Sequence, residues 1–318
     1  MKTALTIGNF DGVHLGHQAL VKRAREQVGA QGHVVALVFD PHPMAVLRPE
    51  LEPARLMNHA QRVAALREAG ADMVDRLEPT RDLLSMSPEA FIRAKVERYH
   101  PAGIVEGDDF HFGKGRAGTV KTLRELGTRL GFACEVVPPV EIALDDHQIV
   151  RASSTMARWL VSHGRVRDAA RVLGRPYTIE GTVVRGDRRG RELDLPTANL
   201  ETAQLLPADG VYAGWAVLPD GARFTAAVNV GTRPVFGGGA RRMEVHVMRD
   251  TGGNEWAPLP GVPEYGWPLR VELIAWVRDD LMFDSAATMM HQISRDLARC
   301  RAELGAFEPS AAAGACTA

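Results

Sequence analysis

The sequence predicts an α/β chain of two domains: a doubly wound, Rossmann-like N-terminal half, then a small all-strand half ending in one helix. Three observations carry this. Apolar, β-branched runs alternate with helical patterns as far as residue 173. After Gly174-Arg175-Pro176 the pattern becomes strands separated by Gly, Pro and Asp turns, without intervening helices. A single long helical pattern, capped by Ser285, follows over residues 285–304.

Taken in order, residues 4–7 (Ala4-Leu5-Thr6-Ile7) read as a buried strand and 18–25 as a helix. Residues 34–39 form an apolar run typical of a strand buried on both faces. Asp40-Pro41-His42-Pro43 ends it, because proline cannot continue a central strand. A helix over 60–69 stops at Gly70, and 71–77 is a short strand. Ser87 opens a helix over 88–99, 103–107 is a strand, 119–130 a helix and 133–140 a strand. Two short helices, 153–163 and 166–173, join at Gly164. Strands are then expected at 177–185, 212–218, 223–230, 242–248 and 269–277, as in a small barrel or sandwich. The domains are therefore expected at 1–174 and 175–305, with 306–318 a disordered tail.

Composition narrows the function. With 45% hydrophobic and 24% charged residues among 318, the chain resembles soluble globular proteins. Its 38 basic and 39 acidic residues give a net charge of −1, which argues against a nucleic-acid surface built on bulk charge. Cys134, Cys300 and Cys316 lack paired spacing, which suits a reducing compartment and argues against a disulfide framework or a zinc site. No apolar run reaches membrane-spanning length, and Met1-Lys2 leads straight into the first strand with no signal region. The expected location is the cytoplasm.

The strongest chemical signal is Gly8-Asn9-Phe10-Asp11-Gly12-Val13-His14-Leu15-Gly16-His17, between the first strand and the first helix. Such a turn presents backbone N–H groups and a helix N-terminus to a phosphate. His14 and His17, three residues apart, share one face and suit stabilisation of charge on phosphorus under attack. Gly107-Asp108-Asp109-Phe110-His111-Phe112-Gly113 follows a strand at the edge where open α/β sheets bind ligands. Arg151-Ala152-Ser153-Ser154-Thr155-Met156-Ala157-Arg158 opens a helix whose hydroxyls, N–H groups and arginine can hold phosphate oxygens. Singly, Asp109 reads as a turn residue, Ser153 as a helix cap and Arg158 as a solvated side chain; together with the first turn these segments form a phosphate cradle.

The second half carries Gly181-Thr182-Val183-Val184-Arg185-Gly186-Asp187, then Gly190, then Pro196-Thr197-Ala198-Asn199. Glycines beside a Pro-Thr-Ala-Asn turn suit close approach to phosphates, and the Thr197 hydroxyl and Asn199 amide oxygen are hard ligands suited to Mg²⁺. Alone, the Pro-Thr-Ala-Asn segment is only a turn. Glu244 lies in an alternating strand, where a glutamate ordinarily faces solvent.

The 8–17 string resembles the His-x-Gly-His signature of nucleotidylyltransferases, and in its longer form the bacterial bifunctional riboflavin kinase/FAD synthetase family. The resemblance covers about residues 4–304 and implies a barrel for the second half. It implies an FMN adenylyltransferase site from residues 8–17, 40–43, 107–113 and 151–158, with His14 and His17 catalytic. Gly8, Asn9, Phe10, Asp11, Gly12, Gly16, Asp109, Arg151, Ser154, Thr155 and Arg158 would bind nucleotide or flavin. In the kinase half it implies binding by Gly181, Gly186, Gly190, Pro196, Thr197 and Asn199, with Thr197 and Asn199 on the metal and Glu244 as base. The substrates implied are riboflavin, FMN and ATP, with Mg²⁺ countering phosphate charge. Asn229, Arg278 and Phe283 also match. Two departures stand out: Leu193-Asp194-Leu195 replaces Leu-Gly-Phe, and the 249–267 loop is longer. They keep open a flavin sensor with a weakened kinase site; the first motif alone would fit a nucleotidylyltransferase for another substrate.

Overall fold

The computed structural model describes residues 1–186, 196–232, 241–249, 259 and 261–306. The chain divides into two compact units, Met1–Met156 and Ala157–Ala318. Gly190, Asp194, Cys316, most of the 249–267 loop and the tail beyond residue 306 lie outside the described residues.

The first unit contains β1 (Thr3–Gly8), α1 (Leu15–Val28), β2 (His33–Phe39), α2 (Pro43–Leu47), α3 (His59–Glu68), β3 (Met73–Leu77), α4 (Arg81–Ser85), α5 (Pro88–Tyr99) and β4 (Gly103–Gly107). It continues with β5 (His111–Phe112), β6 (Gly118–Thr119), α6 (Val120–Leu130), β7 (Ala133–Val137), β8 (Glu141–Ala143) and β9 (Ile149–Arg151). Five strands form a parallel sheet ordered β3-β2-β1-β4-β7. The chain reverses its direction of travel between β1 and β4, the switch point where such sheets bind ligands. Apolar residues alternate along the central strands, so the sheet is buried on both faces: Ala4, Val34, Ala36 and Val38 pack with α1 and α3, whereas Leu5, Ile7, Val35 and Ile104 pack with Phe91, Ile92, Leu123 and Leu126. Local signals start the helices. Ser87 and Thr119 accept the N–H three residues on, and Asn58 with Gln61 forms a capping box.

α7 (Ser154–Ser162) spans the point of division, and the second unit continues with α8 (Val166–Leu173), β10 (Tyr177–Val184), β11 (Ala198–Glu201), β12 (Gly210–Val217), β13 (Arg223–Thr232), β14 (Arg241–Met248), β15 (Pro268–Arg278) and α9 (Ala286–Gly305). The six strands close into an antiparallel barrel ordered β10-β11-β14-β13-β12-β15. Closure removes the sheet edges that an open structure would expose. α8 packs on β10 and β15. The Pro-Thr-Ala-Asn segment is not the turn expected of it: Ala198 and Asn199 begin β11, which bridges β10 and β14.

α9 lays Cys300 and Leu304 against Val211, Ala213, Met248 and Ile274. A buried ion pair fixes it. Arg278 Nε lies 3.1 and 3.0 Å from the two Asp296 oxygens, and Nη2 lies 2.8 Å from Oδ2. Gln292 donates to the same carboxylate at 2.8 Å. Removing one member of such a pair leaves an uncompensated buried charge. Asp296→Ala is therefore expected to destabilise the barrel unit by about 3–5 kcal/mol. Urea unfolding followed by circular dichroism checks this; a parent-like midpoint would contradict it.

Candidate functional site

The first constellation lies at the C-terminal ends of β1, β2 and β4. From Gly8 the chain enters a turn in which Phe10, Gly12 and Val13 take positive φ (49°, 83° and 39°). For a β-branched residue such as Val13 that conformation costs about 1–2 kcal/mol, and strain of this kind collects at functional turns. His14 is the N-cap of α1, and its Nδ1 accepts the His17 N–H at 3.4 Å. In the neutral ring that leaves the proton on Nε2. The two imidazoles stack at 3.6 Å, and the edge of His17 meets Phe10 at 5.0 Å. Gly16 makes this stack possible: a Cβ there would sit 3.0 Å from the His14 ring and 3.2 Å from the Ala152 carbonyl.

The neighbouring segments are tied to this turn. Ser154 Oγ donates to the Asp11 carbonyl at 2.7 Å, while Ser153 caps α7 through the Met156 N–H at 3.1 Å. His42 accepts the Met44 N–H at 3.1 Å and faces the Asn9 amide at 3.1 Å. Arg151 bridges Asp108 at 2.7 Å and Asp109 at 3.2 Å, joining the end of β9 to the segment after β4. Thr155 is exposed on the first turn of α7, and Arg158 is half-buried one turn further along. Asp11 is engaged with backbone: its carboxylate accepts the N–H groups of Leu56 (3.0 Å) and Met57 (3.0 Å). Nothing in the spacing of the chain singles out Arg62. This buried guanidinium reaches the carbonyls of Asn9 (3.0 Å) and Phe39 (2.9 Å) and pairs with Asp40.

Glu106 was also not foreseen. It sits at the end of β4, where pairing with β1 stops at Leu5 and Ile104, and accepts the Ile7 N–H at 2.7 Å. Burial pushes its carboxyl well above the ordinary range; the Ile7 bond opposes this and the charge of Asp109 adds to it. The folded state therefore binds this proton more tightly than the unfolded chain, so its stabilisation is present at low pH and lost as pH rises above the ordinary carboxylate value. Glu106→Gln keeps the acceptor without the charge. Its melting temperature should match the parent at about pH 4 and exceed it at about pH 9. Equal melting temperatures at both values would refute this.

The second constellation is set by barrel register. Asn199 lies opposite Glu244, and Glu244 opposite Asn229. Directly opposed residues in antiparallel strands point to one face, so these three polar side chains form a row across β11, β14 and β13. His246 Nδ1 donates to the Pro196 carbonyl at 2.8 Å and holds the Pro196-Thr197 segment beside β14. Among the described residues nothing hydrogen-bonds the buried Asn199 Oδ1, which fits an oxygen-seeking cation such as Mg²⁺ or a ligand donor. Gly186 leaves room for that amide, because a Cβ there would meet Nδ2 at 2.1 Å. Gly181 answers to packing: its Cβ would lie 2.2 Å from the Glu201 carbonyl. Among the described residues no cluster of three His, Cys, Asp or Glu could hold a metal. Cys134 and Cys300 are free, and burial raises both thiols, Cys300 to about 12. No described helix is long and apolar enough to cross a membrane.

Comparison with known proteins matches both parts of the chain. The family model for FAD synthetase matches residues 1–154 and that for riboflavin kinase residues 173–304. A bifunctional riboflavin kinase/FMN adenylyltransferase from Pseudomonas fluorescens is 36% identical over 93% of this chain and 91% of its own length. Its counterpart from Haemophilus influenzae is 33% identical over 94% and 93%. A crystal structure described as a macrolide-efflux protein from Streptococcus pneumoniae superposes with a TM-score of 0.80 at 27% identity, over 94% of both chains. With family models that match both parts of the chain and relatives that align along nearly its whole length, this protein belongs to the bifunctional riboflavin kinase/FMN adenylyltransferase family.

Proposed function

We propose that this chain makes FAD from riboflavin in two ATP-dependent steps, one in each unit. The observation that carries the reading is the presence in one chain of both constellations: the stacked His14–His17 pair on its turn, and the Asn199–Glu244–Asn229 row. In the barrel, Glu244 accepts the proton of the riboflavin 5′-hydroxyl as that oxygen attacks the γ-phosphorus of ATP and ADP departs. Asn199 and Thr197 would hold Mg²⁺, which would offset charge on the nucleotide phosphates. Pro196 and Gly186 shape the approach for the nucleotide, and Gly181 sets the strand behind it.

In the first unit an FMN phosphate oxygen attacks the α-phosphorus of ATP, and pyrophosphate departs. The phosphate is already an anion, so the chain's task is positioning and charge stabilisation. His14, His17 and the first N–H groups of α1 supply donors. Gly8, Asn9, Phe10, Gly12 and Gly16 form the turn, with Asp11 and Ser154 fixing its backbone; Asp109, Arg151 and Thr155 complete the anion site. The functional domains are taken as 1–174 and 175–305, and the scattered cysteines suit the cytoplasm.

Incubating the protein with riboflavin, ATP and Mg²⁺ and separating flavins by chromatography tests the reading. FMN should appear first and FAD after it. Binding of flavin with no turnover would favour the sensor alternative.

A further inference from the structure

We propose that Arg62 is a positioning residue for adenylyl transfer, one that turns the acceptor groups of the 8–17 turn away from the bound phosphate. The proposal rests on the reading of that turn as the phosphate site.

An anion site made of backbone must point N–H groups at the ligand and direct carbonyl oxygens elsewhere, since both ends of the peptide dipole lie within reach. Here the carbonyls are tied one by one. Phe10 O accepts the Val13 N–H at 3.2 Å, and His14 O accepts the Gln18 N–H at 3.0 Å. Asp11 O accepts Ser154 Oγ at 2.7 Å, and Val13 O accepts Gln18 Nε2 at 2.9 Å. Asn9 O accepts Arg62 Nη1 at 3.0 Å. Arg62 is the cation in this set, and its side chain is only 8% exposed.

The same guanidinium also holds the Phe39 carbonyl at 2.9 Å and the Asp40 carboxylate, so one side chain joins the turn after β1 to the segment after β2. To do so it leaves its own Nε buried without a partner. Satisfying the arginine's donors therefore does not explain the geometry; tying the two loops does. Asp40 is shared with Arg76 at 3.1 Å, so its single charge does not cancel Arg62 alone.

A lysine at this position keeps the charge but lacks the planar fork that spans two loops. A methionine removes both. In the full chain, Arg62→Lys should keep the adenylylation KM for ATP near the parent value while kcat falls about 10-fold. Arg62→Met should raise KM and lose about 10²-fold in kcat/KM, as expected when a reacting group is displaced by about 1 Å. Riboflavin phosphorylation by Arg62→Lys should stay at the parent value. Should the methionine variant fail to fold, the lysine variant decides alone. Parent-like adenylylation in Arg62→Lys, or equal loss of both activities with a lowered melting temperature, overturns the proposal. His17→Ala run alongside separates the two ideas: if it abolishes adenylylation while Arg62→Lys is unaffected, the phosphate-site reading stands and the role of Arg62 falls.

Discussion

His17→Ala is expected to lower FAD formation by about two to three orders of magnitude, the usual effect of losing one preorganised donor at a developing charge. FMN formation should stay near the parent rate. The loss should appear mainly in kcat, because the interaction strengthens as charge develops on the α-phosphate. His17 stacks on His14 at 3.6 Å and packs against Phe10, so its removal also frees the His14 ring. Steady-state rates with FMN as substrate, set beside rates with riboflavin, give the answer. Equal loss of both activities in a folded protein would contradict the assignment of two sites.

Glu244→Gln is expected to cut FMN formation by roughly two to four orders of magnitude, the range for loss of a general base. The amide keeps the size of the side chain and its place between Asn199 and Asn229 but cannot accept the hydroxyl proton. FAD formation from supplied FMN should persist. A variant that phosphorylates riboflavin at the parent rate would make Glu244 an ordinary strand residue.

Elements built from local signals were legible in the sequence. The helix Pro88–Tyr99 with its Ser87 cap, the strand Gly103–Gly107 and the helix Val166–Leu173 follow from caps, glycine stops and apolar spacing. Features made by distant contacts were not. β11 has four residues and takes its hydrogen bonds from β10 and β14, so its sequence shows turn chemistry and no strand period. The strands of the β8–β9 hairpin are shorter still, three residues a side.

The site divides in the same way. The 8–17 turn was readable because its glycines and histidines stand at fixed spacing within ten consecutive residues. Arg62 was not, because its partners Asn9 and Phe39 lie 53 and 23 residues away and its own segment reads as plain helix. The row formed by Asn199, Glu244 and Asn229 is a product of barrel register, which no single strand displays. Asp11 shows the opposite case: a carboxylate in a ligand-binding motif holds the backbone at Leu56 and Met57. Glu106 reads from the sequence as one more residue of the strand 103–107, and only the end of β1 that β4 leaves unpaired gives it a partner.

In the proposed function two independent sites act in sequence, linked by FMN. Mixing the two variants tests it directly. Alone, Glu244→Gln should leave riboflavin unchanged and His17→Ala should stop at FMN. Together, with riboflavin, ATP and Mg²⁺, they should make FAD, because FMN released by the His17→Ala protein is adenylylated by the Glu244→Gln protein. Absence of FAD from the mixture, while each variant retains its one expected activity on supplied substrate, would contradict transfer of free FMN between separate sites.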